Sequence, residues 1–159
     1  MTMPRCYTVE FENVSITTAN GDHELFELDA AAEEPIELIG LEVYTLSELA
    51  EAQEEWLRLR IIRGHTTVGT GGATPTPQPV DDQQGAASFT AASCRTAIAS
   101  AGTPINLASF GMNVRAGFER FWPEGCGFKT RGTSLLVVRL VAAVADDATM
   151  SGTAYVLEH

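Results

Sequence analysis

Cations, cysteines and histidines are all scarce in this chain, and each scarcity removes a class of function. Ten Lys+Arg stand against 21 Asp+Glu, a formal charge of −11 with a sequence pI near 4.6. A phosphate backbone is gripped by a positive footprint that this balance does not supply, so nucleic acid is not expected as a direct partner. The three cysteines, Cys6, Cys94 and Cys126, are too few and too dispersed for a disulfide-built scaffold. They read as small hydrophobes or incidental thiols. His23, His65 and His159 fall in a turn, a loop and the terminus. No His-x-Glu-x-His or Cys-x-x-Cys spacing accompanies them, so no metal is expected. The ending Leu157-Glu158-His159 reads equally as native or as the start of a tag, and no site is built on His159.

Long apolar runs are missing as well. No stretch reaches the roughly 20 uninterrupted apolar residues of a membrane-spanning helix, so no membrane is expected as a partner. The start, Met1 to Val9, lacks the apolar segment of a signal peptide, which makes synthesis in a cytoplasm the expectation. Asn13-Val-Ser15 matches a glycosylation pattern, but without a secretory signal it reads as accidental.

Catalytic motifs are also wanting. Gly64 to Gly72 is glycine-rich but has no Gly-Lys-Ser/Thr ending, and prolines follow where a phosphate-binding helix would begin. Asp81-Asp82 and Asp146-Asp147 lack the glycine-containing EF-hand loop and read as turn residues. Ser88, Ser93 and Cys94 have no nucleophile motif or local general base. Neither an enzyme nor a cofactor is expected.

What the chain does have is alternation. In Trp56-Leu-Arg-Leu-Arg-Ile-Ile-Arg63, Leu57, Leu59 and Ile61 point one way on a strand, and Arg58 and Arg60 point the other with Trp56 and Ile62. At helical spacing the arginines would fall inside the apolar stripe, so the period of two decides for a sheet with one dry face. At 159 residues, 45% of them hydrophobic, the chain is expected to form a single domain with a sizeable core.

Similar patterns recur. Tyr7 to Ile16 changes phase between Phe11 and Val14, which suggests a bulge or a relaxed edge strand. After the turn signal Asn20-Gly21, Leu25 to Leu28 is expected to pair back on that first strand. Ile36 to Tyr44 is a strand whose more consistent apolar face is Ile39, Leu41 and Val43. Leu46 to Glu55 suits a turn of helix that Ser47 would cap. Phe89 to Ile98 is ambiguous, Ile105 to Phe110 is strand, and Met112 to Phe118 alternates again. Ser134 to Val144 reads as a central strand covered on both faces or as one entering an assembly interface, and Arg139 within it would end in a salt bridge. Thr149 to Leu157 is the terminal strand. Seven to nine strands in two layers give an all-β, jelly-roll-like sandwich, with a barrel as the alternative.

Segment 64–88 breaks the pattern with a long Gly/Pro-rich loop or arm. Its Thr74-Pro75-Thr76-Pro77-Gln78-Pro79 stretch favours extended backbone suited to lying across a neighbour. The candidate functional residues are therefore contact residues: Thr74, Pro75, Thr76, Pro77 and Pro79 in the arm, Arg58, Arg60 and Arg63 as ion-pair donors, and Phe121, Trp122 and Phe128 as apolar anchors. Those arginines serve equally well within the same sheet, and those aromatics serve equally well as core.

The stretch Ala52-Gln-Glu-Glu-Trp-Leu-Arg-Leu-Arg-Ile-Ile-Arg-Gly-His65, the arm after it, Leu135-Leu-Val-Val-Arg-Leu140 and Met150-Ser-Gly-Thr-Ala-Tyr-Val156 resemble small structural proteins of tailed bacteriophages and prophages. The resemblance implies a non-enzymatic virion protein on the capsid surface, of the head decoration or cement type. Its partners would be the major capsid protein and copies of itself, as a homo-trimer or larger symmetric assembly. A tail, neck or fibre-associated protein, the major shell protein and a carbohydrate-binding sandwich are the alternatives.

Overall fold

The structure is a computed structural model and describes residues 3–46 and 55–159. The helical turn expected over 46–55 falls mainly on residues outside those described. Eleven strands follow one another: β1 (Arg5–Ile16), β2 (His23–Asp29), β3 (Ile36–Thr45), β4 (Trp56–His65), β5 (Gln78–Pro79), β6 (Thr90–Arg95), β7 (Ile105–Asn113), β8 (Phe118–Phe121), β9 (Phe128–Thr130), β10 (Leu135–Val141) and β11 (Ala148–Glu158). Eight of them have six residues or more, and β5, β8 and β9 are short additions at sheet edges. The ambiguous 89–98 segment resolves as strand. The alternation at 112–118 does not: β7 stops at Asn113, a turn follows, and Phe118 opens β8.

Two antiparallel sheets face each other. The first runs β5-β1-β11-β3-β8, with β9 also on β3; the second runs β6-β2-β10-β4-β7. The pairs β1·β11, β2·β10, β3·β8 and β4·β7 are nested like the rungs of one long hairpin. The pairs β11·β3 and β10·β4 then join successive turns of that hairpin as it wraps around the core. A double ribbon rolled in this way is a jelly roll. The wrapping explains why β2 does not return to β1. It crosses to the other sheet and lies between β10 and β6, so the hairpin expected from Asn20-Gly21 does not form.

Inward positions of both sheets meet in one core that includes Tyr7, Val9, Phe11, Leu38, Leu41, Leu57, Leu59, Ile61, Leu136, Val138, Leu140, Met150, Ala154 and Val156. Bulges correct the phase wherever strict alternation would fail. Between Phe11 and Val14 the register shifts as expected, and Asn13 takes a left-handed φ of 52°. A second shift, between Leu38 and Gly40, sets Ile39 half out. Ile36, Leu38, Leu41 and Val43 then share the core face, which corrects the face assigned from Ile39. A third, at Leu25, lets both Leu25 and Phe26 reach the core while Glu24 and Glu27 point outward.

The long open side of the sandwich, between edge strands β7 and β8, is closed by aromatic rings. Phe110 meets Phe118 at 5.2 Å and Trp122 at 5.9 Å, and Trp122 meets Phe128 edge-on at 5.0 Å. On the opposite side Tyr7 and Phe89 make a T-shaped contact at 5.7 Å.

Candidate functional site

The outer face of the β6-β2-β10-β4-β7 sheet carries the most chemistry, and it divides into a covered half and an open half. The cover comes from two irregular segments that run antiparallel to each other. They are joined by bridges Thr67↔Ser100, Thr70↔Ala97 and Ala73↔Ser93. Beneath them Leu135 and Val137 of β10 pack with Ile62 of β4 and Ala99 of the cover, a second small apolar cluster. β10 is thus buried on both faces, as its near-continuous hydrophobicity implies.

Charged groups lie buried under the same cover. Arg139 of β10 donates to Glu24 of β2 at 2.7 Å, and both Glu24 oxygens accept from the Ala99 N–H at 3.0 Å. Glu27 accepts from the Gly69 N–H at 2.7 Å and faces Arg95 at 3.7 Å, while Arg95 also donates to the Gly71 carbonyl at 2.7 Å. The cover is therefore fastened by carboxylates that need its N–H groups as much as it needs them. Burial raises the pKa of Glu27, against the pull of Gly69 and Arg95.

His65 ends β4 in this cluster. Its Nε2 lies 3.2 Å from the Arg139 guanidinium, which can only donate, and its Nδ1 lies 3.3 Å from the Ala101 carbonyl, which can only accept. That geometry fixes a neutral ring with the proton on Nδ1. Burial first, and then the Arg139 charge, hold its pKa below the usual histidine value. Both nitrogens are occupied, so the ring serves as a bridge in the network. Arg139 takes the salt-bridge role its sequence position suggested. Glu24 and Glu27 were not singled out in the sequence, although two glutamates within an apolar strand and one arginine within another are a signal for buried pairing.

Among the described residues, the open half has no such cover. Trp56 is 69% exposed, and its indole lies over Gly111, where a Cβ would stand 3.4 Å from the ring. Arg58 and Arg60 lie on the same outward face, across from Gly111 and Ser109 of β7. Arg60 reaches the Ser109 hydroxyl at 3.5 Å, and among the described residues neither arginine has a carboxylate partner. A cleft of about 530 Å³ opens here between β4, β7 and the end of β10. Among the described residues its wall carries one carboxylate, Glu55, which is engaged by the Ala145 N–H at 2.8 Å.

The other sequence candidates are dispersed. Arg63 lies at the rim and donates to the Lys129 carbonyl at 2.9 Å. Trp122 and Phe128 turn inward to the aromatic seal, but Phe121 turns outward, 50% exposed, and meets Tyr155 at 4.9 Å with the rings tilted. Its ring also occupies the space over Gly40 that a Cβ would take. The segment around Thr74 to Pro79 is seated on the molecule: Ala73 bridges β6, and Gln78 and Pro79 pair with β1. Thr74 and Thr76 are exposed, Pro75 and Pro79 are half-buried, and Pro77 is buried.

Among the described residues, no group of three or more His, Cys, Asp or Glu is placed to hold a metal ion. Cys94 is buried with its thiol pushed up to about 12, Cys126 is exposed, and all three cysteines are free. No helix among the described residues is long and apolar enough to cross a membrane.

No protein-family model and no curated protein matches the chain. Among solved structures it has a faint likeness to the VP2 subviral particle of infectious bursal disease virus. The identity is 14%, the alignment covers 97% of this chain and 41% of that one, and the TM-score is 0.12. The chain thus spans less than half of that protein, and a TM-score so low carries no argument about either fold or function.

Proposed function

We infer that this chain is a non-enzymatic structural protein of a virus particle, of the kind that decorates and cements a tailed-phage head. The observation that supports this most is the nested pairing of β1–β4 with β7–β11 into a jelly roll, a scaffold used widely in capsid and lectin domains. The resemblance of the 52–65, 135–140 and 150–156 stretches to phage proteins points the same way. In this reading the major capsid protein and other copies of the chain meet the exposed residues: Thr74, Thr76, Arg58, Arg60 and Phe121. Pro75, Pro77 and Pro79 stiffen the exposed threonines, while Arg63, Trp122 and Phe128 hold the rim beneath. Many weak contacts repeated by symmetry would then bind the shell.

The test is a reconstruction of the particle whose genome encodes the chain. Repeated density over the head, fitting this sandwich, is expected; density confined to the tail or one vertex would replace the decoration reading with a tail or neck one. Occupancy should fall on T74E/T76E, which leaves the 66–73 cover in place. A carbohydrate-binding sandwich is the second reading, favoured by Trp56 exposed beside Arg58 and Ser109 in an open cleft. Glycan-array binding lost in Trp56→Ala would support it.

A further inference from the structure

Each outer face of the sandwich has a patch of charge that is in no salt bridge among the described residues, acidic on one face and basic on the other, with an aromatic ring beside it. On the β5-β1-β11-β3-β8 sheet, the register places Glu10, Thr153, Glu42 and Glu119 in one lateral row. The adjacent row is Thr8, Tyr155, Gly40 and Phe121. Glu10 and Glu119 are exposed, and none of the three glutamates is in a salt bridge among the described residues. Glu42 accepts a hydrogen bond from Tyr155 at 3.1 Å, which keeps it beside the Phe121–Tyr155 ring pair. On the opposite sheet, the open half offers Arg58 and Arg60 with Trp56 alongside.

We propose that the Trp56/Arg58/Arg60 face of one copy docks on the Glu10/Glu42/Glu119 face of the next, with Trp56 and Phe121 entering the contact. Arg58 and Arg60 sit two apart on β4 and the acidic row runs across β1, β11, β3 and β8, so both sets of charges are presented from rigid sheet with no backbone ordering left to supply. In a chain of net charge −11, the outward Arg58 and Arg60, without a carboxylate partner among the described residues, match an acidic face of the same molecule. The two surfaces differ, so the contact is head-to-tail. They lie on opposite sides of the sandwich, so repetition extends a stack rather than closing a two-fold dimer. This supplies the self-contact that the structural reading calls for, and rests on that reading only for its purpose.

Sedimentation of the full chain over a range of concentration and salt tests the contact. Concentration-dependent association that weakens from low to high salt is expected. R58E/R60E makes both faces acidic and E42K/E119K makes both basic; each alone should weaken association by roughly a hundredfold, because like charges then meet. Mixing the two variants should restore it, since the native acidic face of one then meets the native basic face of the other. Wild-type protein that stays monomeric at every concentration, or variants that fail to rescue each other, would overturn the contact. Circular dichroism of each variant separates misfolding from lost association; should either misfold, the charge-neutral pair R58Q/R60Q and E42Q/E119Q must each still weaken association. Binding to an acidic glycan by wild type, without self-association, would also overturn it. A chain that stacks in solution yet never occupies particles would instead sink only the virion reading.

Discussion

The covered and open halves of one sheet face are built from the same strands and behave oppositely. β10 supplies Val137 and Arg139 to the covered half and Val141 to the open cleft; β4 supplies Ile62 to the first and Trp56 and Arg58 to the second. Under the cover an arginine is committed to Glu24, His65 and the fold. Outside it, Arg58 and Arg60 have no carboxylate partner among the described residues, and they are the pair proposed for contact. What separates structure from surface here is a strap contributed by residues 66–73 and 96–101, which leave the ends of β4 and β6 and fold back over the sheet.

The sharpest way to break this contrast is Glu24→Ala. It strands a buried guanidinium and the Ala99 N–H, and is expected to cost about 3–5 kcal/mol in urea unfolding. The strap itself can be lifted with Gly69→Ala. A Cβ there would stand 2.4 Å from the Ala97 carbonyl and 3.2 Å from the Glu24 and Glu27 carboxylates, so a loss of about 1–3 kcal/mol is expected. Faster amide exchange at Thr67 and Thr70 in this variant would locate the damage.

Acid should act on the covered half before the open one. The folded pKa of His65 lies below its unfolded value of 6.5, as does that of buried His23. A neutral ring is favoured by folding, so this stability is fully present above the unfolded pKa and is lost as pH falls through the lowered folded one. Glu27, whose pKa is raised, contributes in the opposite sense: its share is present at low pH and declines as pH rises through its folded value. Stability that falls between pH 7 and pH 5, with a shallower fall in His65→Gln, is the expected result; an unchanged slope would remove His65 from the account. The smallest effect belongs to the open half. Arg58→Ala and Arg60→Ala should unfold within about 0.5 kcal/mol of wild type, because no buried partner is left behind.

Alternation made the sandwich legible. Leu57, Leu59 and Ile61 entered the core, and Trp56 and Arg58 stayed out, as a period of two requires. The bulge after Phe11 was visible as a phase change, but the one at Ile39 was not, because apolar residues on both sides of it hide the slip. The pairing of β2 with β10 was out of reach, since a turn signal specifies a reversal and not the sheet that receives it. Glu24 and Glu27 within an apolar strand hinted at pairing with an arginine, but their fastening to the Gly69 and Ala99 N–H groups was hidden, since no side-chain pattern reports backbone donors. The two charged outer faces were half legible. Arg58 and Arg60 alternate openly, whereas the row of Glu10, Glu42 and Glu119 exists only once β1, β11, β3 and β8 lie side by side.

Hydroxyl-radical footprinting at low and high protein concentration tests the division most directly. Trp56 and Phe121 should lose reactivity together as copies associate, while buried Met112 stays unreactive throughout. Undiminished labelling of Trp56 in associated protein would contradict the assignment of the open half to contact.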